Sequence, residues 1–289
     1  MSEVAVVTDS TSYLAPGVAE QHGVVVVPLY IVFGGERTVP ETEITDYPAF
    51  FDELRTAETL PTTSQPSVGD FRAAYEPLLA AGGEIVSVHI SGGLSGTPEA
   101  ARQAKEALER EGKGGERIRV IDSTTAAGGL GFLVLAAVKA SRDGMTGEQV
   151  AAHVAAARKE LKMWFAVDTL EFLRRGGRIG AASAWIGSTL KVKPILTVEN
   201  EMTPVERVRT SGRAFERMVD YGRQRRDSGA DAWCVQHINA PDQAAALVER
   251  MRELFESEPT IVSEIGPVLA AHTGPGLLGT GGLPQHFVR

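Results

Sequence analysis

The chain has 289 residues, one cysteine, 43% hydrophobic and 23% charged residues, and a formal net charge of −8. These values exclude a disordered or fibrous chain, a disulfide framework or cysteine metal cluster, and the basic face expected of a nucleic-acid binder. Glycine supplies 31 residues, above the usual ~7%, which points to sharp turns where the backbone approaches something closely.

The N-terminus, Met1-Ser2-Glu3-Val4, runs straight into an apolar strand pattern, with no basic and then long apolar segment to mark a targeting signal. Val4 to Val7 reads as a strand ended by the polar turn Thr8-Asp9-Ser10-Thr11, and Val24 to Val27 as a second strand. Thr59 to Val68 reads as a Pro-punctuated loop, and Val68 to Leu79 has helical spacing. Ile85 to Ile90 and Ile118 to Ile121 are further strands, and Ser95 to Glu111 is an amphipathic helix. Ala126 to Ala140 is a mostly apolar helix and is therefore expected to be well buried. Strands alternating with helices predict a mainly parallel sheet flanked by helices.

Glu148 to Leu161 is a polar-faced helix that links this half to a second. There Met163 to Val167 is a strand, and Leu170 to Arg174 is a short helix ended by Gly176-Gly177. Val192 to Val198 and Val205 to Val208 flank Glu199-Asn200-Glu201 like a hairpin. Ser211 to Arg226 and Pro241 to Phe255 are amphipathic helices around the strand Ala232 to Ile238. Ile261 to Ile265 and Val268 to Ala271 read as two closing strands. The expectation is an α/β fold of two domains, residues 1–160 with the parallel sheet and 161–289 as an α+β layer domain. The longest uncharged run, Ile265 to Val288, is interrupted by Pro267, Pro275 and Pro284 and is no membrane helix, so a soluble cytoplasmic protein is expected.

Hydroxyl-rich or glycine-rich turns follow three of the strands: Thr8-Asp9-Ser10-Thr11, Ser91-Gly92-Gly93-Leu94-Ser95-Gly96-Thr97 and Asp122-Ser123-Thr124-Thr125. A fourth such string, Thr62-Thr63-Ser64-Gln65-Pro66-Ser67, precedes a helix. Helix capping explains any one of them. Several together at the carboxyl edge of a parallel sheet point to an oxyanion site built from hydroxyls and backbone N–H groups. The phosphate-loop pattern Gly-x-x-x-x-Gly-Lys-Ser/Thr is absent, as is Gly-x-Gly-x-x-Gly. The six histidines lack metal-site spacing, so neither a metal nor a cofactor is expected. An acyl-hydrolase reading takes Ser95 as nucleophile, His272 as base and Asp9 or Asp122 as its orienter, although Gly93-Leu94-Ser95-Gly96-Thr97 departs from Gly-x-Ser-x-Gly. A small-anion sensor is a third reading. His272, before Gly274-Pro275-Gly276, is either a core histidine or one that faces a ligand. The arginines 174, 175, 178, 207 and 209 either cap elements or form a cationic rim.

Taken in order, these strings resemble the DegV family, the bacterial fatty-acid-binding proteins also known as FakB-type subunits of fatty acid kinase. The resemblance runs almost end to end. It is carried by Thr8-Asp9-Ser10-Thr11, Pro61 to Ser67, His89 to Thr97, Asp122-Ser123, Leu170 to Ile179, Lys193-Pro194-Ile195-Leu196 and Ile265 to Gly276. It implies a two-domain DegV-like fold with a long-chain fatty acid buried between the domains. The family's carboxylate-binding hydroxyls would fall on Thr63 and Ser95, with His272 in the same network and Ser91, Thr62 and Thr273 as neighbours. The resemblance further implies that the protein is not itself catalytic. It would present the acid to a separate ATP-dependent kinase subunit that makes an acyl phosphate for phospholipid synthesis. Arg178 and Arg209 would lie at the mouth or on the kinase-docking face, and transient contact with a membrane surface is compatible with the role. The chain departs from the common Ser-Ser-Gly-Leu-Ser string at Gly92.

Overall fold

A computed structural model of the protein describes residues 4–186 and 192–289; residues 187–191 and residues 1–3, where the N-terminal reading at Met1-Ser2-Glu3 falls, lie outside the described residues. The first apolar run forms β1 (Ala5–Asp9), and α1 (Val18–Gln21) returns the chain to β2 (Val25–Val27). β3 (Tyr30–Phe33) and β4 (Arg37–Pro40) make an antiparallel hairpin, and α2 (Tyr47–Thr56) follows. The loop expected around Thr62 contains a strand, β5 (Thr62–Ser64), paired antiparallel with β3. Its three residues all bear hydroxyls, so no apolar alternation marked it. α3 (Val68–Ala80) starts on a capping box, in which Ser67 and Asp70 satisfy each other's backbone N–H. β6 (Ile85–His89), α4 (Thr97–Arg110) and β7 (Ile118–Asp122) continue the alternation. The sheet order is β2-β1-β6-β7, parallel throughout.

α5 (Gly128–Arg142) is buried along almost its whole length, as its apolar composition requires. α6 (Gly147–Glu160) leads to β8 (Lys162–Ala166) and α7 (Glu171–Arg175). The expected hairpin is β9 (Lys193–Glu199) and β10 (Glu201–Val208), turning at Asn200 with φ 71°. α8 (Ser211–Asp227), β11 (Ala232–His237), α9 (Pro241–Phe255) and β12 (Ile261–Glu264) come next. The segment read as a last strand, Val268 to Ala271, is instead helical, α10 (Pro267–Thr273). Four apolar residues fit either state, and Pro267 at the first helical position favours the helix. The closing strand lies further on, at β13 (Leu278–Leu283).

β13 sits centrally in a six-stranded mixed sheet of order β10-β9-β8-β13-β11-β12. Three of its six residues are glycines, so its sequence does not look like a strand. The packing explains them. A Cβ on Gly281 would lie 2.2 Å from the Lys162 carbonyl oxygen, and one on Gly282 would lie 2.2 Å from that of Ala232. Part of the glycine surplus therefore belongs to a central strand, not to turns.

α5 packs on β1 and β6 of the parallel sheet and on β8, β11 and β13 of the mixed sheet. Polar clasps add to this contact. The Asn200 N–H donates to the Thr124 carbonyl at 3.0 Å, and the Ser91 hydroxyl donates to the Asn200 carbonyl. Arg158 on α6 reaches the Ser123 carbonyl and Thr124 Oγ1, each at 2.9 Å, and Glu199 at 3.2 Å. The buried Arg225 ties α8 to the Glu160 carbonyl at 2.7 Å and the Gly282 carbonyl at 3.3 Å. Among the described residues no helix is long and apolar enough to cross a membrane.

Gly281→Ala should lower the urea midpoint by the equivalent of about 2 kcal/mol or more, because backbone occupies the space of the new methyl. Gly212→Ala in α8, with nothing within 4 Å of the added Cβ, should be neutral or slightly stabilising. Equal midpoints for the two variants would contradict the packing argument.

Candidate functional site

β1, β6 and β7 are neighbours in the parallel sheet, so the turns that follow them come together at one edge. They serve different ends. The first closes on itself: Asp9 accepts from the Thr11 N–H and hydroxyl, and its second oxygen accepts from the Ile90 N–H at 2.9 Å and meets His89 Nδ1 at 3.0 Å. His89 Nε2 continues to Ser87 Oγ at 2.6 Å and Ser87 to the Tyr75 hydroxyl at 2.7 Å, with all four side chains sealed from solvent. The turns after β6 and β7 instead line a cavity of about 560 Å³, together with β5, α10 and strands of the mixed sheet.

The cavity has an apolar interior, with Leu29, Ile90, Leu94, Val198, Met202 and Leu269 among its walls. Its polar groups include Thr63, Ser95, Arg178 and His272. Arg178 is the one ionised side chain among the described lining residues, and no Asp or Glu lines the space.

Thr63 sits in the middle of β5, where strand alternation turns it away from its exposed neighbour Thr62. Its hydroxyl lies 2.7 Å from His272 Nε2, across 209 residues of sequence. His272 is the penultimate residue of α10 and only 8% exposed. The other ring nitrogen, Nδ1, has no hydrogen-bond partner. It faces Gly176, where a Cβ would stand 2.4 Å from it. Burial, with the Arg178 cation adding to it, pushes the His272 pKa down to about 4, so the ring is neutral at pH 7. Ser95 precedes α4, with its Oγ 2.9 Å from Thr97 Oγ1 and 3.3 Å from the Thr97 N–H. A Cβ on the adjacent Gly96 would lie 2.1 Å from Gln65 Oε1, so the strand–loop carrying Thr63 lies directly against the turn carrying Ser95.

The structure thus brings Thr63, Ser95 and His272 to one cavity, with Thr273 and Arg178 also in its wall. The Thr273 hydroxyl is already committed to the Leu269 carbonyl at 2.9 Å. Arg178 is exposed and held by the carbonyls of Gly176 at 2.9 Å and Leu94 at 3.3 Å. Thr62 and Ser91 do not line the cavity: Thr62 faces outward, and Ser91 is consumed by the Asn200 clasp. Arg209 lies just beyond β10 and outside the cavity wall. Gly92 donates its N–H to the Asp122 carboxylate at 3.1 Å, and a Cβ there would lie 2.5 Å from Asp122 Oδ2, which accounts for a glycine at this position.

The acyl-hydrolase triad is not assembled. His272 pairs with Thr63 and not with Ser95, and its Nδ1 has no carboxylate. Asp9 is committed to His89, and Asp122 to the N–H groups of Gly92 and Thr124. The sequence carried Gln65 only as part of the Thr62 to Ser67 string, and the apolar walls carried no mark, because single cavity-facing leucines and valines have the same pattern as ordinary core.

The family model for DegV, a family described as uncharacterised proteins, matches residues 3–285. A DegV domain-containing protein of Streptomyces coelicolor is 39% identical over 96% of both chains. The protein DegV of Bacillus subtilis is 34% identical over 96% of this chain and 97% of its own. Among solved structures, a fatty-acid-binding DegV family protein from Thermus thermophilus superposes with TM-score 0.86 and 35% identity, covering 98% of this chain and 100% of that one. The Bacillus subtilis DegV crystal structure, described as a fatty acid binding protein, also gives TM-score 0.86, with 33% identity over 97% of this chain and 99% of that one. With the family's sequence pattern and its fold both present from end to end, the chain belongs to the DegV family.

Proposed function

We propose that the protein binds a long-chain fatty acid, with the acyl chain in the apolar interior of the cavity and the carboxylate at Thr63 and Ser95. The observation that carries this reading is the cavity itself: an apolar space whose described lining holds the hydroxyls of Thr63 and Ser95, one arginine and no acid. Two solved relatives described as fatty-acid-binding share its fold. A volume of about 560 Å³ suits a lipid-sized ligand. At ~0.8 kcal/mol per buried CH₂, a sixteen-carbon chain gains roughly 10 kcal/mol before ordering costs.

The proton arrangement follows from the ring of His272. A neutral imidazole carries one N–H. Placed on Nδ1 it would be an orphaned buried donor, costing about 1–3 kcal/mol. On Nε2 it is donated to Thr63 Oγ1, which leaves the Thr63 hydroxyl proton for the ligand. Likewise the Thr97 N–H donates to the Ser95 oxygen, and with the Thr97 hydroxyl as donor of the 2.9 Å contact the Ser95 proton is left for the ligand. A carboxylate, which only accepts, is matched by two such donors and the nearby Arg178. Thr63 and Ser95 come from residues 1–160 and His272 and Arg178 from 161–289, so binding would join the two domains we propose. The carrier would present its carboxylate at the Arg178 side to a separate ATP-dependent kinase subunit for acyl-phosphate formation, with Arg209 on the docking face and no catalysis of its own.

Lipid extraction and mass spectrometry of protein purified from bacteria should find a bound fatty acid; an empty protein that also takes up no added palmitate or oleate would reject the reading. Thr63→Val with Ser95→Ala should weaken palmitate binding about tenfold or more while leaving the fold intact, read by calorimetry and circular dichroism. The ligand-free protein should lose stability as pH falls from about 6.5 to about 4, because the unfolded chain protonates His272 first. That loss amounts to on the order of 3 kcal/mol, and His272→Gln should remove it from the pH profile of the urea midpoint.

A further inference from the structure

Glu41 is a carboxylate only 2% exposed, with no Arg, Lys or His paired to it among the described residues. It stands just after β4, on a turn of 3-10 helix, and accepts three hydrogen bonds from elsewhere in the chain. Its Oε2 takes the Ser10 hydroxyl. Its Oε1 takes the Tyr13 hydroxyl at 2.6 Å and the Val268 N–H at 2.8 Å. The Leu269 N–H points to the Tyr13 oxygen at 3.4 Å. Two N–H groups at the start of α10, which have no partner inside a helix, are thereby satisfied from the other end of the sequence.

This matters because α10 has seven residues, too few to hold a helix by itself. Its position is set by what grips it. Gly266 lets the chain pass, since a Cβ there would lie 2.7 Å from the Tyr47 hydroxyl and 3.0 Å from Glu41 Oε1. One turn further on, α10 presents Leu269 and His272 to the cavity. Ser10 also accepts the Leu29 N–H at 3.1 Å, and Leu29 is part of the same wall. We propose that Glu41 is a positioning residue for the ligand carboxylate: it fixes where α10 begins, and so holds His272 in register with Thr63. The inference rests on the fatty-acid reading above.

The test compares palmitate with hexadecanol, which has the same chain and no carboxylate, in wild type, Glu41→Gln and Tyr13→Phe. Glu41→Gln keeps the size but replaces one acceptor oxygen by an NH₂ group. It should weaken palmitate about tenfold and leave hexadecanol within about twofold. Tyr13→Phe should shift palmitate in the same direction by about threefold. In the imidazole ¹⁵N spectrum, the His272 Nε2–H signal should change in Glu41→Gln. Unchanged palmitate affinity in both variants overturns the proposal, as does an equal loss for both ligands, which would mean that Glu41 shapes only the acyl cavity. Should Glu41→Gln not fold, the palmitate-to-hexadecanol ratio in Tyr13→Phe decides alone, and an unchanged ratio overturns it. A wild-type protein that binds neither ligand would instead remove the fatty-acid reading.

Discussion

A helix that is apolar on every side must be covered on every side, and the architecture follows from covering α5. Leu130, Phe132, Leu133, Val134, Ala136 and Ala137 along it are all fully buried. One sheet cannot do this, so β1 and β6 take one face while β8, β11 and β13 take another. The glycines at the start of α5 let both sides come close. A Cβ on Gly128 would meet Gln236 Oε1 at 2.6 Å, and one on Gly131 would meet the Ser12 carbonyl oxygen at 2.9 Å. Just before the helix begins, Ala126 and Ala127 open onto the cavity.

Around that space, buried polar groups are spent on fixing loops. The chain Asp9–His89–Ser87–Tyr75 has the residue types of a hydrolytic triad, yet it lies buried between the parallel sheet and α3 with no access. Its effect is to lock the ends of β1 and β6, including the Ile90 N–H, so that the turn running on to Ser95 starts from a rigid base. The Ser91–Asn200 clasp then seats the β9–β10 hairpin on the same turn, and Val198 and Met202 become cavity wall. Unpaired buried donors are costly, which is why these residues have settled partners and few hydroxyls remain open to the cavity.

The electrostatic character of the site comes from what is left over. A neutral histidine beside the Thr63 hydroxyl, a Ser95 hydroxyl whose oxygen takes the Thr97 N–H, and an arginine with no acidic partner among the described residues favour an acceptor-only group. A desolvated carboxylate would protonate if left bare. On the reading we propose, a carboxylate beside the exposed Arg178, not at the apolar end, would stay ionised and reachable, while the acyl chain would supply the driving force.

The sequence alone carried the alternation of the first half, the buried helix, the hairpin at Asn200 and the hydroxyl strings, because each depends on local periodicity or capping chemistry. The family strings also pointed to Thr63, Ser95 and His272 as one set. Local pattern did not reveal β5, whose residues are all hydroxylated, or β13, whose glycines answer to neighbouring strands. It also misread α10, because four apolar residues suit a helix and a strand equally. Only the tertiary structure separated Ser95, which faces the cavity, from Ser91, which faces Asn200, and Thr63 from its outward neighbour Thr62. Only there does Glu41 meet a helix 227 residues away. The direction in which a hydroxyl or carboxylate is spent depends on partners distant in sequence, and no local spacing encodes that.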